Sequence, residues 1–207
     1  MIVIVETNFI IEFVLQQEHS RACEELLALC GSGIARLAIP SFAVAEAGMM
    51  LERSRGERRK FLNEDLSRQR GEIGTAKLLQ RYEAILIDLE KELVAAQSES
   101  DSRWLDFRNR LESADVIPLT AAALEETISI QVGREIEQWP DALVLASVKS
   151  YLVGVRATGA STPAVFVSTD GAAFGRSIIT RQLRKLGCTY VNSFANAVRY
   201  LRSKSHS

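Results

Sequence analysis

The chain has 207 residues, a length that suits one domain carrying an insertion better than two full domains. Hydrophobic residues make up 47% and charged residues 25%, so a substantial core and a solvated surface are both available. Lys+Arg number 25 against 26 for Asp+Glu, and the formal net charge of -1 excludes a globally basic nucleic-acid binder; phosphate contacts must come from local clusters.

Cys23, Cys30 and Cys188 show no CxxC spacing and read as small buried thiols in a reducing compartment, not as a zinc site. The apolar opening Met1–Val5 lacks a basic lead-in and is interrupted by Glu6 and Glu12, which argues against a signal peptide. No apolar run reaches the ~18 residues of a membrane span. The expected location is the cytoplasm.

In chain order, Ile2–Val5 reads as a buried strand and Asn8–Leu15 as a short helix. Ser20–Cys30 is an amphipathic helix stopped by Gly31-Ser32-Gly33, and Ala35–Ile39 is a second strand. Pro40-Ser41 opens a helix to about Leu51, with Ser41 as its expected N-cap. From Glu52 to Glu112 the chain is charged, free of proline and poor in β-branched residues. Leu78, Leu79, Tyr82, Ile85, Leu86, Leu89 and Leu93 recur there at helical spacing. Two or three helices are expected, folded into an arm over residues 52–115 or forming a coiled-coil-like dimer surface.

The sheet pattern then returns. Val116–Leu119 is a strand, Thr120 caps a helix to about Val132, and Asp141–Val153 is another helix. Ala164–Val167 is a strand, Phe174–Leu186 a helix ended by Gly187, and Thr189–Val191 a last short strand. A helix from Ser193 to Leu201 precedes a tail, Ser203–Ser207, expected to be disordered. Alternating strands and helices predict a three-layer α/β/α domain over residues 1–207, with a central, mainly parallel sheet of four to five strands plus the helical insertion.

With only His19 and His206 present, a histidine triad or a paired-histidine ribonuclease has almost no material. Neither GxxxxGK[ST] nor GxGxxG occurs, so a glycine-loop nucleotide cradle is unsupported. Carboxylates remain. Glu6 follows the first strand and Asp170 the strand Ala164–Val167, which aims both at the rim where the carboxyl ends of parallel strands line a crevice. Glu46 shares a helical face with Phe42, Met49 and Met50, and Asp141 leads a stripe of Val144, Leu145 and Val148. Carboxylates on core-facing stripes require partners, either an arginine or a divalent cation with oxygen ligands. Taken singly, each has an ordinary explanation: a strand-end turn for Glu6, an ion pair for Glu46, a helix cap for Asp141, and a turn dipeptide for Asp170-Gly171.

Jointly, four segments resemble the PIN-domain family: Val5-Glu6-Thr7-Asn8-Phe9; Ile39-Pro40-Ser41-Phe42-Ala43-Val44-Ala45-Glu46; Pro140-Asp141-Ala142-Leu143-Val144-Leu145-Ala146-Ser147; and Phe166-Val167-Ser168-Thr169-Asp170. The first resembles a subgroup reading Glu-Thr-Asn where most members carry Asp. After the last strand many members have Asp-Phe, where this chain has Ala173-Phe174. The resemblance implies that Glu6, Glu46, Asp141 and Asp170 are catalytic and hold one or two Mg²⁺ or Mn²⁺ ions, with Thr7, Asn8, Ser168 and Thr169 as supporting polar groups. It implies metal-dependent hydrolysis of single-stranded RNA to 5′-phosphate and 3′-hydroxyl ends, in the family commonly as the toxin of a toxin–antitoxin pair. An antitoxin or other protein partner and a homodimer are further expectations.

Phosphate contacts are expected from Arg53, Arg55, Arg58, Arg59 and Lys60, with Arg68 and Arg70 beyond, or from Arg181, Arg184 and Lys185. The competing class is a PIN-fold binding or scaffold protein with a weak or lost metal site. Phosphotransfer receivers and dehalogenase-like phosphatases also have acidic rims, but no receiver-type Asp and Lys pair can be placed.

Overall fold

The computed structural model describes residues 1–66, 68, 77–159 and 162–205, without the side chains of residues 77–81 and 205. Arg70, His206 and the side chains of Leu78 and Leu79 lie outside the described residues. Five strands, β1 (Ile2–Ile4), β2 (Arg36–Pro40), β3 (Asp115–Ile117), β4 (Ala164–Val167) and β5 (Cys188–Val191), form one sheet in the order β3-β2-β1-β4-β5. Every pairing is parallel. β1 and β4 are buried along their whole length, as expected for unbroken apolar strands at the centre of a sheet covered on both faces.

The helices are α1 (Thr7–Val14), α2 (Ser20–Gly31), α3 (Ser41–Lys60), α4 (Lys77–Arg110), α5 (Ala121–Val132), α6 (Trp139–Ala157), α7 (Gly171–Phe174), α8 (Ser177–Lys185) and α9 (Phe194–Ser205). α9 packs on α2, and α5 on α6. Ser203 to Ser205, expected in a disordered tail, are the last residues of α9. β1 lies between β2, reached through α2, and β4, reached only after the rest of the sheet's other half is built. The strand order therefore reverses beside β1, and the crevice outside the carboxyl ends of β1 and β4 is the switch point where such sheets take ligands.

Several expected boundaries move. Thr120 caps α5 as expected, its hydroxyl accepting from the Ala123 N–H. Ser41, however, is the first helical residue of α3; Pro40 holds the N-cap position and offers no side-chain acceptor. α3 also runs past Leu51 to Lys60, continuing into a π-helical turn at Phe61–Asp65. Beyond the buried Leu51 its distal half is mostly exposed and carries charged contacts: Arg53 pairs with Glu57 within the helix, and Arg55 and Arg58 reach Asp101 and Gln97 on α4. The expected helix Phe174–Leu186 starts later, as α8 at Ser177, while Phe174 ends a separate short helix, α7. Gly175 ends α7 with its Cα so close to the preceding turn that an added Cβ would stand 2.5 Å from the Gly171 carbonyl oxygen.

The arm is less separate than its composition suggests. It begins as an extension of α3 and ends before β3, whose first residue is Asp115. At the end of α4, Phe107 is fully buried and Trp104 stacks on it at 6.1 Å. Arg103 donates to the Phe13 carbonyl, pairs with Glu24, and lies 4.4 Å over the Phe13 ring. Farther out, Tyr82, Ile85 and Leu89 are exposed.

Candidate metal and nucleic-acid site

Each candidate carboxylate is placed by a local rule of helix or strand geometry. Glu6 lies two residues past β1 and is the N-cap of α1, its Oε2 accepting from the Asn8 N–H at 2.7 Å. Asp170 does the same for α7, Oδ1 accepting from the Ala173 N–H at 2.8 Å. Asp141 lies in the first turn of α6, one residue after Pro140. Three of the four acids thus sit at helix N-termini, where exposed N–H groups favour negative charge and offset part of their mutual repulsion.

Glu46 arrives differently. The expected apolar face of its helix was that of Met49 and Met50, yet these are 63% and 46% exposed. The buried face is Ala43, Ala47 and Leu51, and Glu46 flanks it. Small alanines let α3 approach closely, and that approach brings the Glu46 carboxylate to the Thr7 hydroxyl, which donates to Oε2 at 2.5 Å.

The charges of these acids act on one another. Burial raises the Glu6 pKa to about 7; the Asn8 N–H and the Ser168 hydroxyl oppose the rise, and the charges of Asp141 and Glu46 add to it. Asp141 is pushed up to about 6 by desolvation and then by Asp170 and Glu46. Glu6 is 4% exposed, and its Oε1 has no hydrogen-bond partner among the described residues. None of the four forms an ion pair with a described lysine or arginine. An arginine partner, one of the two remedies the sequence allowed, is therefore not the one used by the described residues.

An all-carboxylate donor set with a buried, unpartnered oxygen suits a hard divalent cation such as Mg²⁺ or Mn²⁺. The set is gathered but not closed: among the described residues no three His, Cys, Asp or Glu side chains stand grouped as they would around an ion. Glu6, Glu46 and Asp170 each have one oxygen engaged locally instead.

The supporting polar residues divide into two kinds. Thr7 and Ser168 are buried and committed, Thr7 to Glu46 and Ser168 through its Oγ to the Asp170 N–H at 3.0 Å. Asn8 and Thr169 are half-buried at the same rim. Sequence reasoning missed Tyr190. From β5 its hydroxyl donates to the carbonyls of Ser168 at 3.1 Å and Asp170 at 3.3 Å. A tyrosine near the end of an edge strand was the available signal, but only the strand order reveals its target.

The basic clusters lie elsewhere. Arg53, Arg55 and Arg58 are engaged by Glu57, Asp101 and Gln97, whereas Arg59 and Lys60 are exposed. With a rise of 1.5 Å per residue, Arg59 sits ~20 Å along α3 from Glu46, out of reach of the acidic centre but within reach of a flanking strand. Arg184 and Lys185 precede β5, whose first residue pairs with the first of β4. They therefore stand at the sheet end opposite Glu6 and Asp170. Cys23 and Cys188 are buried and unpaired as expected, and burial pushes the half-buried Cys30 thiol up to about 11. Among the described residues no helix is long and apolar enough to cross a membrane.

A five-stranded parallel sheet flanked by helices, with Glu6 and Asp170 beyond the carboxyl ends of its two central strands, defines the chain as an α/β protein with an acidic rim. The family model described as PIN domain matches residues 3–174, an interval that runs across the arm, and the chain belongs to the PIN domain family. PIN domains are generally nucleases and typically use divalent metals. No curated protein and no solved structure matches the chain.

Proposed function

We propose that this protein is a metal-dependent endoribonuclease that hydrolyses phosphodiester bonds of single-stranded RNA. What supports the reading is that the charges of Asp141 and Glu46 act on Glu6 and those of Asp170 and Glu46 on Asp141, with a buried Glu6 oxygen left unpartnered and no described cation paired with any of the four. Bound there, Mg²⁺ or Mn²⁺ would supply water activation and neutralisation of phosphate charge.

The protein's own groups prepare that centre. Thr7 fixes the rotamer of Glu46, the Asn8 N–H holds one oxygen of Glu6, and the Ala173 N–H holds one of Asp170. The side chains of Asn8 and Thr169 would orient water or a phosphate oxygen. In the reaction water adds across the P–O3′ bond: its oxygen bonds to phosphorus, and the 3′ oxygen leaves with a proton. This yields a 5′-phosphate and a 3′-hydroxyl. Arg59 and Lys60 would meet the strand away from the cut. A toxin role with an antitoxin partner is compatible with such an activity.

The test is cleavage of end-labelled single-stranded RNA. Purified protein with Mn²⁺ is expected to cut, and EDTA or Asp141→Asn to abolish cutting. One feature favours a second reading, a PIN-fold binding protein of weak or lost activity: Ala173 occupies a position where family members often carry a further Asp. A protein that binds RNA equally well with and without Mn²⁺ and never cuts it would support that reading over the first.

A further inference from the structure

We propose that Tyr190 is a positioning residue for Asp170, its hydroxyl fixing the loop that presents this carboxylate to the acidic centre; the inference rests on the metal-site reading and adds to it a group from outside the four acidic segments. The pairing of β4 with β5 ends where the Ser168 N–H donates to the Val191 carbonyl at 3.2 Å. Beyond that point the Ser168–Asp170 loop has no ladder partner. Apart from the Ser168 hydroxyl, which favours the charged form of Glu6, the ties of this loop are to itself and α7: Asp170 N–H to Ser168 Oγ, Gly171 N–H to the Thr169 carbonyl, Ala173 N–H to Asp170 Oδ1, and Phe174 N–H to the Asp170 carbonyl. Such bonds set the shape of the loop but not its place relative to the sheet.

Tyr190 supplies that reference. It pairs in register with Phe166, packs on the Phe166 ring at 6.1 Å, and extends past the end of the strand to the carbonyls of Ser168 and Asp170. One hydroxyl thus spans both ends of the three-residue loop. A phenylalanine at this position would preserve the strand and the ring contact and remove only the tie. Tyr190 lies beyond the interval matched by the family model, which ends at residue 174.

The experiment is Tyr190→Phe in the full chain, with two readouts. In metal-free protein, amide exchange at Ala173 and Gly171 is expected to quicken about tenfold while β1 amides are unchanged. In Mn²⁺ titrations the affinity is expected to fall about tenfold, and kcat to recover as Mn²⁺ is raised, as for removal of an outer hydrogen bond to a ligand. Unchanged exchange at Ala173 and Gly171 overturns the proposal, as does slackening spread evenly over the whole sheet, which marks a purely structural tyrosine. If wild-type protein binds no Mn²⁺ while the variant loosens only this loop, the metal reading fails and the positioning of Asp170 by Tyr190 stands.

Discussion

The hydroxyl of Thr7 donates to Oε2 of Glu46, joining two residues 39 positions apart and locking the start of α1 to the first turns of α3. Glu6 precedes Thr7 directly, so this bond also fixes the spacing between two of the four carboxylates. Its removal by Thr7→Val keeps the branched shape and leaves Glu46 without its donor. The expected outcome is a loss of about 1 kcal/mol in denaturant unfolding. RNA cleavage at saturating Mn²⁺ should fall by about tenfold or more, because a loosened ligand is costly to catalysis. Full activity in the variant would show that Glu46 needs no such hold.

The raised acids make metal-free stability depend on pH in a definite direction. Glu6 titrates near 7 in the folded protein against an ordinary value of 4.5, so between these pH values the folded state binds more protons than the unfolded state. Its contribution is fully present below pH 4.5 and is lost as pH rises through about 7; Asp141, raised from 3.8 to about 6, acts in the same sense. In EDTA, Glu6→Gln should therefore stabilise the protein at pH 8, by roughly 2–3 kcal/mol at most, and do little at pH 4. Thermal melts at the two pH values check this, and saturating Mn²⁺ should reverse the order at pH 8. A destabilised Glu6→Gln at pH 8 in EDTA would contradict it.

How much of this was open to reading from the sequence depended on the range of the interaction involved. Glu6, Asp141 and Asp170 were legible because strand ends and helix starts are local features, and the order of the segments placed them on one rim. Glu46 was chosen for the wrong face: Met49 and Met50 are larger and more apolar than Ala43 and Ala47, yet the alanines face the core because they permit close helix approach. Arg55 was counted for phosphate contact because one of its two partners, Asp101, is 46 residues away on the returning helix. Tyr190 was invisible for the same reason, its acceptors being known only once β5 is laid beside β4. The late start of α8 was missed because α7 closes at Gly175, held too close to the Gly171 carbonyl for a side chain.

The arm's attachment is testable through Arg103, which bonds the Phe13 carbonyl, pairs with Glu24 and covers the Phe13 ring. Its side chain is 18% exposed, so truncation removes a largely shielded contact. Arg103→Ala should lower stability by about 2 kcal/mol, with hydrogen-exchange loosening confined to α1 and the base of α4. A melting temperature equal to wild type would mean that Trp104 and Phe107 alone hold the arm.

For the basic surface, the ion pairs sort the arginines. Arg59→Glu with Lys60→Glu should weaken binding of single-stranded RNA and flatten the dependence of log affinity on log salt by about one to two units. Arg53→Ala, which removes a cation already paired with Glu57, should change the slope much less. Fluorescence anisotropy across a salt series measures both. Equal effects of the two changes would show that the pairing does not persist when RNA binds.

The most direct measurement is calorimetric titration of metal-free protein with Mn²⁺, comparing wild type with Asp141→Asn. Asp141 is the chosen position because its carboxylate is coupled to both Asp170 and Glu46. The account predicts saturable binding by wild type, accompanied by proton release at pH 6.5, and affinity at least tenfold weaker in the variant. Identical isotherms for the two proteins, or no heat of binding in either, would contradict the claim that these four acids form a single cation site.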